Sequence, residues 1–214
     1  MNIQHATFDH MAPPQDNYII HSKQQMRALA AATRQEIVDV LPRMGAVSVA
    51  ELAAALGRPA DSLYYHLRVL TRVGLVLRSG SRAVNGRAQA LFRAIAPEMS
   101  LSYKFGKQGN ANEVNAIIAS MLRLGARDFR RSFRSGEVRV SGLSRELWAL
   151  RTTGRLSRAQ IAEVNRYIRR LMQIAAQPGY SGRLYAITVL LIPLDRKGRV
   201  RRLTTRLTAT PTSS

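Results

Sequence analysis

The chain has 214 residues, 33 of them Lys or Arg against 13 Asp or Glu, a formal net charge of +20 and no cysteine. This balance makes a polyanion the first partner to consider, while the missing cysteine excludes a disulfide framework, a zinc ribbon, an iron–sulfur cluster and a thiol nucleophile. A hydrophobic share of 46% is that of a globular protein and too high for a disordered basic tail.

The charge is unevenly spread. Residues 1–100 hold 11 Lys or Arg and seven Asp or Glu, whereas residues 101–214 hold 22 and six. The first 17 residues contain two Asp, no Lys or Arg and no apolar stretch, so no signal peptide is read there. The longest apolar run, residues 184–193, falls well short of the roughly 20 residues that span a bilayer. A soluble, cytoplasmic protein without a membrane partner is expected.

In chain order, residues 1–20, with Pro13-Pro14, read as an arm with little structure. Ser22 can cap a helical segment to about Ala31, and Thr33-Arg34-Gln35-Glu36 has capping-box spacing before a helix bearing Ile37, Val40, Leu41 and Met44. A second capping box, Ser48-Val49-Ala50-Glu51, opens a short helix that Gly57 can close. Pro59 suits the first turn of a third, whose Leu63, Leu67 and Leu70 share one stripe. Its opposite face shows Asp61, Tyr65, Arg68 and Arg72, with Ser62 and Tyr64 on the flanks, and Gly74 ends it. Leu75-Val76-Leu77-Arg78 and Arg87-Ala88-Gln89-Ala90-Leu91-Phe92-Arg93 read as two strands joined by a rather long loop over Ser79 to Gly86, with four Arg and no acid from Arg78 to Arg93.

Beyond Pro97, Met99 to Asn110 is expected to be a linker. Asn112 or a neighbour caps a long helix bearing Val114, Ile117, Ile118, Met121, Leu122 and Phe129, with Arg123, Arg127, Arg130 and Arg131 on the other face. A strand is predicted around Leu147-Trp148-Ala149-Leu150. Ser157-Arg158-Ala159-Gln160 opens an amphipathic helix with Ile161, Val164, Ile168, Leu171 and Met172 on one side. Leu184 to Ile192 is predicted to be a strand buried on both faces. From Asp195 the chain reads as a basic mobile tail.

The order helix, helix, turn, helix, basic hairpin is that of a winged helix-turn-helix, in which one helix braces another whose polar face enters the major groove. Residues 22–95 resemble the ArsR-type transcriptional regulators. The resemblance is carried by Leu29-Ala30-Ala31-Ala32-Thr33-Arg34 with Ile37 and Leu41, by Ser48-Val49-Ala50-Glu51-Leu52-Ala53 with Leu56-Gly57, and by Ser62, His66-Leu67, Leu70, Gly74-Leu75-Val76 and Gly86-Arg87. Pro59 departs from it, standing where the family usually has a Ser or Thr cap. Thiolate metal sensing, known in the family, has no Cys here to support it.

The expected fold class is α+β: an N-terminal winged helix-turn-helix domain, then a smaller α+β C-terminal module with a long dimerisation helix. The expected divisions are an arm over 1–20, the DNA-binding domain over 21–97, a dimerisation and ligand-sensing module over 98–194, and the tail over 195–214. The resemblance implies a homodimer on double-stranded DNA at a pseudo-palindromic operator, acting as a repressor. Ser62, Tyr64, Tyr65, Arg68 and Arg72 are the candidate recognition residues, and Arg78, Arg82 and Arg87 the candidate wing contacts with phosphate or the minor groove. His66 reads as a packing or phosphate-contacting imidazole. His5 and His10 around Asp9 do not make a convincing metal site. No cofactor or metal is expected, and without a nucleophile triad, a phosphate loop or a paired-carboxylate motif no enzyme is expected either. Trp148 and Phe129 are candidate walls of a small-molecule effector pocket. The alternative is a sequence-independent basic protein that holds DNA or RNA through the charge of residues 101–214.

Overall fold

The computed structural model describes residues 17–84, 86–177 and 183–194. The winged domain holds four helices: α1 (Lys23–Leu29), α2 (Ala32–Met44), α3 (Val49–Leu56) and α4 (Asp61–Arg72). The two-residue strand β2 (Val47–Ser48) separates α2 from α3, and the hairpin β3 (Val76–Val84) and β4 (Arg87–Ala94) follows α4. β4 lies between β2 and β3, antiparallel to both, which completes a winged helix-turn-helix.

The apolar stripes read from the sequence meet in one core. Ile37 and Leu41 of α2, Leu52 of α3 and Leu63, Leu67 and Leu70 of α4 are each no more than 1% exposed. Leu75 and Val76 seal the base of the hairpin. Burying side chains of this size contributes about 1.5–3 kcal/mol each, the main favourable term opposing chain entropy. Polar groups tie elements together where the core ends. Gln25 of α1 donates to the Tyr18 hydroxyl and to the Val73 carbonyl, both at 2.9 Å, joining the chain before α1 to the end of α4.

Local signals were realised unequally. Ser48 forms its capping box with Glu51, and Ser22 accepts a hydrogen bond from the Gln24 amide. The box expected at Thr33–Glu36 does not form: α2 begins after Ala31 with no side-chain cap, which puts Thr33 inside the first turn, and Glu36 pairs with two arginines. The long loop expected over Ser79 to Gly86 is mostly strand. β3 runs to Val84, opposite Arg87, and its register shifts between Arg78 and Ser81 around Gly80, whose φ is +80°.

Two expectations about the edges of this domain are corrected. Residues 17–20 of the presumed arm form β1 (Asn17–Ile20), which pairs in parallel with β5 (Glu98–Leu101), a stretch assigned to the linker. The cause is the alternation of Tyr18 and Ile20, which turns Ile20 into the core at 2% exposure. Residues 1–16, with His5, Asp9 and His10, lie outside the described residues.

The long helix is α5 (Ala111–Ser135), with Asn110, a near neighbour of Asn112, at its N-cap position but making no side-chain cap bond. The Asn110 side chain instead accepts from the Lys104 amide and donates to the Ser102 carbonyl, closing the loop before the helix. Val114 and Ile117 enter the core of the preceding helices, while Arg27 pairs with Glu113 and Gln35 donates to the Ile117 carbonyl. The capping box at Ser157 forms and opens α6 (Arg158–Ala176).

The two strands expected in the C-terminal half are absent. Residues 147–150 and 183–194 have no regular secondary structure, and every residue of the second stretch is exposed. A strand needs a neighbour to satisfy its backbone, and neither run has one among the described residues. The mixed helix-and-strand character of the protein therefore rests on the winged domain and on β1–β5. The predicted tail from Asp195 lies outside the described residues.

Candidate nucleic-acid interface

The site is built on α4, so its launch matters. Gly57 ends α3 in the left-handed region at φ +60°, and the Arg58 amide donates to the Ala53 carbonyl. The Ser62 amide and hydroxyl both donate to the Pro59 carbonyl, at 3.1 and 2.7 Å, which fixes the first turn without a side-chain cap. The Pro59 departure is thereby accommodated.

With Leu63, Leu67 and Leu70 buried, the helical period forces the opposite face outward. Tyr64 and Tyr65 are 57% and 56% exposed, and Asp61, Ser62, Arg68, Thr71 and Arg72 are exposed as well. The Arg68 guanidinium lies over the Tyr65 ring, 5.8 Å from its centroid, a cation–π contact that restricts the arginine without neutralising it. Asp61 in the first turn suits the positive end of the helix dipole.

The hairpin stands beside this face. Arg78, Arg82 and Arg87 are all exposed. They are not equivalent. Arg82 reaches back to α3, its guanidinium 2.5 Å from a Glu51 carboxylate oxygen. Glu51 is held below its ordinary carboxylate range, first by the Ser48 amide and then by Arg82. Arg78 faces α4 and, with Tyr64, Tyr65, Arg68, Thr71 and Phe92, lines an open groove of about 490 Å³ between helix and wing. Thr71 and Phe92 are the residues sequence reading missed. Thr71 sits three residues after Arg68 and seven after Tyr64, so its helical position was legible. The role of Phe92 was not, since it depends on the pairing of Arg78 with Phe92 across the hairpin.

His66 packs on the inner flank. Its ring meets Tyr65 edge-on, with centroids 5.4 Å apart, and its Nδ1 is buried without a hydrogen-bond partner. Burial, together with Arg34 and Arg58, lowers its pKa from the ordinary 6.5, so it is neutral at pH 7. Among the described residues no three His, Asp or Glu side chains gather as a metal site would require, and no helix is long and apolar enough to cross a membrane.

The aromatic pair considered for an effector pocket is divided between other partners. Phe129 stacks on Phe133 at 6.3 Å, while Trp148, 63% exposed, lies under the Arg145 guanidinium at 4.1 Å.

No curated protein matches the chain. A family model of a helix-turn-helix domain matches residues 29–78, from the end of α1 through the first residues of β3. Residues 29–78 are thus a helix-turn-helix domain with a hairpin wing directly after α4, and such a domain suggests DNA-binding transcription regulation.

Proposed function

We propose that the protein is a sequence-specific transcriptional repressor that binds double-stranded DNA as a homodimer. In this reading α4 enters the major groove, where Arg68 and Arg72 meet base edges or phosphates and Ser62, Tyr64 and Tyr65 complete the contact. Arg78, Arg82 and Arg87 hold the adjoining backbone or minor groove. A two-fold dimer would set two copies of α4 about 34 Å apart, one turn of DNA, and so read a pseudo-palindrome. The segment after β5 would supply the dimer contacts. A small molecule bound there would act as an effector only by binding two dimer geometries unequally.

The observation that carries the reading is the division of α4 itself: three leucines fully buried, and a polar, cationic face open beside an arginine-bearing wing. The test begins with selection of duplexes from genomic fragments by the full-length protein. Replacing Arg68 or Arg72 by Ala should then weaken binding to the selected duplex by about 1–3 kcal/mol, with circular dichroism and thermal midpoint unchanged. Unchanged affinity in both variants would remove the assignment of this face.

The excess of cations in residues 101–214 favours a second reading, binding through charge alone. Competition at about 150 mM salt separates the two, since a specific regulator prefers its site by about a thousandfold or more over random DNA.

A further inference from the structure

Glu36 of α2 has its two carboxylate oxygens occupied by arginines from two different parts of the chain. Arg58, in the turn between α3 and α4, donates to Oε2 from Nε at 3.1 Å and from its terminal nitrogen at 2.6 Å. Arg127 of α5 donates to Oε1 and also to the neighbouring Asp128. The carboxylate side chain is only 14% exposed, and the two arginines 29% and 34%. A partly buried carboxylate that accepts two hydrogen bonds from Arg58 on one oxygen and one from Arg127 on the other is a directional joint, unlike a surface ion pair.

The position of Arg58 gives the joint its consequence. It sits between the left-handed Gly57 and Pro59, within the short turn that sets where α4 begins. α4 packs on α1, α2, α3 and β3, whereas α5 packs on α1 and α2. The Arg58–Glu36–Arg127 chain thus joins the long C-terminal helix to the launch of the recognition helix through one carboxylate. Burial works against the charge on Glu36, but the hydrogen bonds from Arg127 and Arg58 outweigh it and keep the group ionised.

We propose that Glu36 and Arg127 are positioning residues for DNA reading: they hold the α3–α4 turn in register with α5 and touch no DNA themselves. The proposal rests on the DNA-binding reading above. It implies that whatever engages the C-terminal part of the chain acts on α4 through this joint.

The test uses the full chain with Arg127→Met, which keeps the apolar stem of the arginine, with Glu36→Gln, and with the double variant. The probes are a duplex selected by the wild type and a random duplex of equal length. Each single variant should bind the selected duplex about tenfold more weakly, bind the random duplex as before, and keep the salt slope, because no phosphate contact has been removed. The double variant should be no weaker than either single one. Amide hydrogen exchange over residues 57–62 should accelerate in Arg127→Met even without DNA.

Affinity within twofold of wild type, or unaltered exchange in the turn, would overturn the proposal. A salt slope smaller by about one would overturn it differently, by making Arg127 a phosphate contact. Equal losses on both duplexes with a lowered thermal midpoint would reduce the joint to simple stabilisation. Should the wild type select no duplex at all, the DNA reading itself fails, an outcome visible before any variant is made.

Discussion

α3 and α6 invite comparison because their sequences make the same promises. Each opens with a complete capping box, Ser48 with Glu51 and Ser157 with Gln160, and each carries an apolar stripe at helical spacing. In α3, Val49, Leu52 and Ala53 are buried, whereas α6 has no buried residue and leaves Ile161 and Met172 41% and 50% exposed. Local chemistry suffices to start and orient a helix. What becomes of its apolar face depends on elements far away in sequence, which α3 finds in α2, α4 and the hairpin. The single described chain covers the α6 stripe only in part, leaving Val164, Ile168 and Leu171 half-buried.

The largest expected contrast is in stability. Leu67→Ala in α4 should cost about 2–5 kcal/mol in chemical denaturation, the ordinary price of emptying a well-packed site. Ile168→Ala in α6, at a half-buried position, should cost about 1 kcal/mol or less in the monomer. If a second copy covers α6, the Ile168→Ala cost should grow with protein concentration, and light scattering would show a weakened dimer.

Caps sharpen the comparison at a smaller scale. Ser48→Ala should lower global stability by about 1 kcal/mol, since α3 is part of the core. Ser157→Ala removes an equally well-formed cap and should leave the global transition in place, reducing only the helical signal of α6. A global loss from Ser157→Ala would show that α6 folds cooperatively with the winged domain.

Acid should act on the first region through Glu36. Its pKa lies below the ordinary 4.5, so its contribution to stability is full above about pH 4.5 and is lost as pH falls through the depressed value. A denaturation series from pH 6 to pH 3 should show this loss, and Glu36→Gln should remove that part of the slope. The smallest effect is expected at the wing. Arg82→Ala should weaken duplex binding less than Arg68→Ala, because Arg82 already spends its charge on Glu51 and would have to exchange partners.

The winged domain was legible from the sequence because its signals are short-range and consistent with one another. Capping serines, helix-ending glycines and leucines three or four residues apart all point to the same four helices. The outward face of α4 followed from the inward face by geometry alone. Tyr18 and Ile20 were not legible as a strand, since their partner lies some eighty residues away at Met99 and Leu101. Residues 184–192 misled for the converse reason: β-branched, apolar composition signals strand, but composition cannot supply the missing neighbour. Glu36 was misassigned because the N-cap position of α2 lies two residues before the expected cap Thr33, and only the fold brings Arg58 and Arg127 within reach of the carboxylate.

The parallel pairing of Asn17–Ile20 with Glu98–Leu101 has a practical meaning for anyone trimming the protein. A fragment cut to the span of the family match would discard both strands, the hydroxyl that accepts from Gln25 and the side chain of Ile20. The smallest portable version should therefore begin no later than Asn17 and continue past Leu124, the last buried residue of α5, through Asp128, so that Arg127 keeps its hold on Glu36. Shorter versions would carry an open seam beneath α1 and be prone to clumping, whatever the quality of the DNA-reading face they retain.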